Sequence, residues 1–385
     1  MRAFVFTDDR LHRDAGRFVW LAINSENGKN GAFLKKYPIP ALPSYLVIDP
    51  NEEKAVMRWV GGASVDQLEK FFDDAEKTFH AKTDGTGPEA ALARADRAYG
   101  DENHEAAVRS YREALALAPA NWPSRARVYD ALFWSLSQLD SSAATLALAQ
   151  QVAPQYRGTS TGVGAVSSGL DAAIALPDSD ARKKVLTAQF EAELRKQLAD
   201  PSIPLSGDER SSYLATLIDA RKAANDSIGA HQAAEDWVAF LEKAAKEAKT
   251  REQRASFDPH RLAAYIEVGQ PEKAIPMLEQ SEKEFPDDYN PSARLAAAYL
   301  NMKEYNKALA ANDRAMAKAY GPRKLRIYMT RADIYAGKGD TESAKKTLEE
   351  AIHYADALPD GQRSDNWNKT LQKRIDKLTQ TSAVH

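Results

Sequence analysis

The chain has 385 residues, of which 43% are hydrophobic and 28% charged, the balance of a soluble globular protein with room for roughly two or three domains. A formal charge of -3 without basic or acidic blocks argues against nucleic acid as a ligand, and no apolar run approaches the roughly 20 residues that a membrane-spanning helix requires. Cysteine is absent, which removes structural disulfides, thiolate nucleophiles and thiolate metal sites together.

Residues 1–10 hold a short apolar patch followed by charge, and lack the longer apolar core and small-residue cleavage site of a secretory signal. Strand-forming residues then cluster in F-V-W-L-A-I-N at 18–24, Y-L-V-I-D at 45–49 and A-V-M-R-W-V at 55–60. A helical stretch around Gly31 to Lys36 separates the first two. After Gly61-Gly62, the Ser64-Val-Asp-Gln67 run is a capping box that opens another helix. The expected order is strand, helix, strand, strand, helix.

With Y-P-I-P-A-L-P-S before the second strand and V-G-G after the third, residues 1–80 resemble the C-terminal half of a thioredoxin fold. The resemblance implies a cis peptide bond at Pro43, the position that faces the catalytic cysteine pair in that family, and proline makes such a bond accessible. It places M-R-A-F-V-F-T-D-D-R-L in the back half of the active-site helix, so the chain is expected to start inside a domain. The Cys-x-x-Cys half, and any export signal, would then lie upstream; the other account is a decayed domain kept as a structural collar. Disulfide exchange needs a thiolate and a resolving thiol, so the chain as it stands is expected to be redox-inactive.

Residues 81–87 read as a linker, and from Pro88 onward the pattern is helical. A period in the thirties is present: Tyr265, Tyr299 and Tyr335 recur at intervals of 34 and 36 residues, and Ala274, Ala308 and Ala344 repeat the same intervals. Each alanine falls nine residues after its tyrosine, where a second helix must approach the first closely. Gly269-Gln270-Pro271 and Gly339-Asp340 separate the two helices of a unit, while Pro286 and Gly321-Pro322 close units, which gives 255–288, 289–322 and 323–356. An earlier unit occupies 88–119. Between it and Ala255 helix starts are suggested at Pro123, Ser141, Ser179 and Ser206, the last with a capping box to Glu209. A final amphipathic helix is expected over 362–378, within a capping helix and tail at 357–385.

These units resemble tetratricopeptide repeats. In the first, Ala95, Ala107, Tyr111, Ala114 and Pro119 fall on the family's small, small, aromatic, small and proline positions. The expected fold class is mainly α: a tetratricopeptide-like α-solenoid over 88–356, wound as a right-handed superhelix, preceded by a small incomplete α/β thioredoxin-like domain. A lone unit cannot bury its apolar face, so the units must stack. The resemblance then implies a scaffold for protein-protein interaction whose groove holds a protein or peptide partner. Carried over residue by residue, the groove would be lined by Asn290, Ala293, Ala297 and Asn301, then Arg326, Met329 and Asp333. That set does not match the lysine and asparagine clamp by which some family members grip a C-terminal carboxylate. The alternative function is a thiol-disulfide oxidoreductase or chaperone, completed by Cys-x-x-Cys upstream of Met1.

Other patterns assign no chemistry. Gly158-Thr159-Ser160-Thr161-Gly162 spells a nucleophile elbow, but helical residues precede it where a strand is required, so it reads as a small-residue loop. The run G-V-G-A-V-S-S-G at 162–169 lacks the phosphate-loop signature and reads as a linker or helix start. His12, His80, His104, His231, His260, His353 and His385 lie singly, without the spacing that brings two imidazoles to one metal. His104 stands at a turn where the repeat family often has an aromatic, a packing position. Carboxylates such as Glu282, Glu284 and Asp287 read as solvated helix surface. No catalytic residue, metal site or cofactor is expected.

Overall fold

A computed structural model describes residues 4–39, 41–80 and 85–382, so the linker at 81–87 and the C-terminal tail fall partly outside the described residues. The chain divides into two compact units, one of Met1–Phe18 with Ile39–Trp237, the other of Val19–Pro38 with Val238–His385. Residues 1–80 are thus shared between the two.

In chain order the first 80 residues hold α1 (Gly31–Lys36), β1 (Ser44–Asp49), β2 (Lys54–Val60) and α2 (Val65–His80). In the first unit β1 and β2 pair antiparallel, from Ser44 opposite Val60 to Asp49 opposite Lys54, with a bulge between Val47 and Ile48. The turn is held by the Asp49 carboxylate, which accepts the amides of Asn51 at 2.7 Å and Glu52 at 3.3 Å. The capping box forms: the Ser64 amide donates to Gln67 Oε1 at 2.6 Å and the Gln67 amide to Ser64 Oγ at 3.2 Å. Leu68, Phe71, Phe72 and Ala75, at helical spacing, bury one face of α2 in a cluster with Met57, Leu11 and Val5. The Leu42–Pro43 peptide is cis.

The strand expected over 18–24 is not formed. Phe18 makes a single bridge with Ala15, and the backbone beyond it runs without a ladder, leaving Val19 88% and Leu21 74% exposed. Aromatic and β-branched residues favour strands only where a neighbouring strand offers a pleated surface, and the described sheet consists of β1 and β2 alone. Of the expected order strand, helix, strand, strand, helix, the last four form as α1, β1, β2 and α2 and the first strand does not.

Helical hairpins follow: α3 (Pro88–Gly100) with α4 (His104–Leu117), α5 (Arg125–Gln138) with α6 (Ser142–Gln155), and α7 (Ser160–Ile174) with α8 (Lys183–Leu198). Next come α9 (Gly207–Ala223) and α10 (Ser227–Glu247), whose Trp237 donates to Ser211 Oγ of α9 at 2.7 Å. Ala95, Ala107, Tyr111 and Ala114 are fully buried. Ser141 and Ser206 stand at the N-caps of α6 and α9, the latter with both halves of its capping box, whereas α5 and α8 begin at Arg125 and Lys183 rather than at Pro123 and Ser179. The run at 162–169 lies inside α7. Its poor helix formers are overridden by packing: a Cβ on Gly169 would stand 2.6 Å from the Phe190 ring and 2.8 Å from Ala149 Cβ, so glycine permits this approach.

One buried carboxylate ties four elements together. Asp96 on α3 accepts from the Tyr111 hydroxyl of α4 at 2.8 Å, from Thr78 of α2 at 3.2 Å, and from Arg127 of α5 at 2.8 and 3.0 Å. Burial and the Asp96 charge push the Tyr111 hydroxyl well above the ordinary phenol range, so it stays a donor.

In the second unit a short helix, α11 (Arg251–Ala255), precedes three pairs: α12 (Asp258–Glu267) with α13 (Ile275–Glu284), α14 (Tyr289–Asn301) with α15 (Tyr305–Lys318), and α16 (Lys324–Gly337) with α17 (Thr341–Asp356). They fall within the units read from the 34- and 36-residue spacing, and Ala274, Ala308 and Ala344 are fully buried where the paired helices meet. The terminal helix α18 (Asp365–Ser382) buries Leu371 and Ile375 in one cluster with Leu348, Ala351 and Ala355 of α17.

Candidate functional site

The seven residues carried over as groove-lining all lie on α14 and α16, the first helices of their pairs, but they differ in availability. Asn301, Arg326 and Asp333 are exposed, while Asn290, Ala293, Ala297 and Met329 are half-buried. Ala293 packs against the cluster of Ala315, Ala319 and Ile327, and Met329 against the core of the last pair and α18. The Asn290 amide donates to Asp288 at 2.7 Å, and the Asn301 amide donates to the Ala297 carbonyl at 2.9 Å. Arg374 of α18 reaches Asp333 at 2.8 Å. The surface left on these first helices is therefore small and polar, with one cation, one carboxylate and one amide.

A second surface has no counterpart in the local sequence pattern. Residues 24–36 of the second unit lie against the connections between its helix pairs. The Glu26 carboxylate accepts from the Tyr289 hydroxyl, 3.2 Å from each oxygen, and stands 3.2 Å from Arg323 Nε. Burial raises the Glu26 pKa against the opposing charge of Arg323, and burial followed by the Glu26 charge pushes the Tyr289 hydroxyl up to about 12. Asn24 donates to the Tyr320 hydroxyl at 3.0 Å, Gln362 donates its amide to the Ser25 carbonyl at 2.7 Å, and Lys35 pairs with Asp360 at 3.1 Å. Backbone meets backbone at two glycines: a Cβ on Gly321 would lie 2.3 Å from the Glu26 carbonyl oxygen, and one on Gly361 would lie 2.0 Å from that of Gly31. Glu26 and Arg323 are almost 300 positions apart, so no spacing rule could have joined them.

Ser160 is the first residue of α7, whose N-cap is Thr159, and it follows a turn after α6 rather than a strand. The His104 ring packs edge-to-face on Tyr99, with centroids 6.0 Å apart. Among the described residues no three histidine, aspartate or glutamate side chains converge on a point that could hold a metal ion, and no helix is long and apolar enough to cross a membrane.

Residues 265–325 match a tetratricopeptide repeat family, and residues 325–356 match another family of the same description. Tetratricopeptide repeats are thus shown over residues 265–356, from the end of α12 to α17. No curated protein sequence matches it. Among solved structures, a tetratricopeptide repeat protein from Parabacteroides merdae is 14% identical and aligns over 77% of this chain and 100% of its own, with a TM-score of 0.49. BtubC from P. vanneervenii is 13% identical over 57% of this chain and 92% of its own, with a TM-score of 0.40. The TPR2AB domain of yeast Sti1, solved in complex with pHSP90, is 14% identical over 76% of this chain and 98% of its own, with a TM-score of 0.29.

Proposed function

We propose that the chain is a protein-protein interaction scaffold that receives a polypeptide partner on the first-helix face of its repeats. The observation that carries this reading is the exposed set Asn301, Arg326 and Asp333, displayed by α14 and α16 of repeats belonging to a class that mediates protein contacts. A mixed polar set suits an extended segment bound through backbone amides and side chains of both charges. Asn290, Ala293, Ala297 and Met329 act in this reading as the floor that spaces the exposed three. The test compares proteins captured by the full chain with those captured by the Asn301→Ala, Arg326→Ala, Asp333→Ala triple variant. Loss of a specific partner by about tenfold at unchanged melting temperature is expected. An identical set captured by both chains would sink the reading.

For residues 1–80, the thioredoxin-like half-domain rests on the β1–β2 hairpin and α2, which follow Leu42-Pro43-Ser44 in the expected order. The oxidoreductase alternative requires an in-frame Cys-x-x-Cys encoded upstream of Met1, and genomic sequence without one removes that alternative while leaving a decayed domain kept as a structural collar. The domain division that goes with it places 88–356 in the helical array and 357–385 in the cap.

A further inference from the structure

The two ion pairs made by residues 24–36 are opposite in sign, one near each end of the segment, which gives the surface beneath them a direction. Glu26 faces Arg323 and Tyr289 near one end, and Lys35 faces Asp360 near the other. A segment laid down in reverse would set carboxylate against carboxylate and ammonium against guanidinium. Just before Glu26 the Gln362 amide reads the Ser25 backbone carbonyl rather than a side chain, and Gly321 and Gly361 leave room for the main chain at Glu26 and Gly31. Those are features of a surface that recognises polypeptide as such: a main-chain hydrogen bond and close backbone approaches hold it, and charge selects it.

The segment itself is lightly held. Leu34 is the large apolar side chain it buries, with Tyr37 just beyond it, its regular structure is a 3-10 turn over Gly28–Asn30 running into the short helix α1, and Val19, Leu21 and Ile23 beside it are exposed. Side chains that pair across such a rim contribute little each, so the occupancy is a balance rather than part of a core.

We propose that the edge formed by Tyr289, Tyr320, Arg323, Asp360 and Gln362 is a docking site for a short, carboxylate-bearing polypeptide segment that ends in a helical turn, and that the chain's own residues 24–36 occupy it as an intramolecular ligand. This site shares no residue with the first-helix face, so either can fail without the other. Release of the segment uncovers the edge and frees residues 19–38 as one continuous stretch.

The test uses the full chain in four forms: wild type, Glu26→Arg, Arg323→Glu and the double reversal. Amide hydrogen exchange over 31–37 reports docking, and fluorescence anisotropy of a labelled peptide with the sequence of residues 19–38 reports an open site. Wild type should protect 31–37 and leave the peptide unbound. Each single reversal should lower protection about tenfold, and the double reversal should restore it. The peptide should bind the Glu26→Arg chain, whose site is vacant and intact, but not the Arg323→Glu chain. If Arg323→Glu does not fold, the Lys35→Glu and Asp360→Lys pair serves the same cycle. Unchanged protection in the single reversals would overturn the proposal. So would a failed rescue, or a released segment whose site binds no peptide.

Discussion

Arg127 lays two guanidinium nitrogens against the fully buried carboxylate of Asp96, at 2.8 and 3.0 Å, so that α5 is bound to α3 through charge as well as packing. Arg127 Nε also stands 3.1 Å from Asp74 of α2. Removing one member of such a group leaves the other charge buried and unpaired, which costs about 3–5 kcal/mol. Arg127→Ala should therefore lower the urea midpoint of the first unit sharply. Adding Asp96→Leu to Arg127→Met should recover part of the loss, because Asp96 is then no longer a buried carboxylate without its cation, while Asp74 keeps Lys70 at 3.6 Å and Lys77 at 3.4 Å. A double-mutant cycle measures the coupling, and a loss below about 1 kcal/mol for Arg127→Ala would count against this account.

Gly169 offers a sharper test of packing. Alanine is the better helix former by about 1 kcal/mol, so on propensity alone Gly169→Ala should stabilise α7. Its new methyl would press on the Phe190 ring and Ala149, and overpacking of this kind costs about 1–3 kcal/mol. A net loss of stability is expected, relieved by Phe190→Leu in the same chain. Thermal denaturation of the two variants decides which effect wins.

His104 should give the fold an acid-sensitive limb. Burial, followed by the charge of Arg58, lowers its pKa below the ordinary 6.5, so the folded chain takes up that proton less readily than the unfolded one. The contribution is present above 6.5 and is lost as pH falls through that value towards the depressed one. The expected result is a decline in stability between about pH 7 and pH 5 that flattens in His104→Gln. Denaturant midpoints across that range measure it, and parallel curves for the two chains would exclude the effect.

The capping boxes at Ser64 and Ser206 predict local losses of similar size. Ser64→Ala and Ser206→Ala should each cost about 1 kcal/mol, with aspartate at either position retaining most of the stability. Chemical denaturation of the alanine and aspartate variants distinguishes a cap from a passive surface serine.

What the sequence disclosed was what repeats or what acts over a few residues. Ala274, Ala308 and Ala344 announce close helix contacts because the same constraint recurs three times, and the caps announce themselves because serine and its partner are three positions apart. The run at 162–169 could be read only as a linker or helix start, since its small residues are weak helix formers in isolation, and the reason for them, the Phe190 ring, arrives from α8. The segment 18–24 misled for the opposite reason. Its residues favour a strand, but a strand is a relation to a neighbour, and that neighbour is not written in the segment. Of the candidate sites, the first-helix residues could be placed from family spacing, whereas Glu26 meeting Tyr289 and Arg323 is a fact of the fold.

Those last contacts also bear on how the molecule is made. A helical hairpin closes on itself within about 30 residues and can form as it leaves the ribosome. The Ser25 carbonyl waits for Gln362, 337 positions later, and Glu26 waits for Tyr289, 263 positions later. During synthesis residues 24–36 thus emerge well before the surface that receives them, with the exposed apolar side chains of Leu21 and Ile23 beside them. Residues 25 and 26 thus find their place only after the repeats that receive them are made, so crowding by nascent neighbours would be felt at this edge before it is felt in the hairpins.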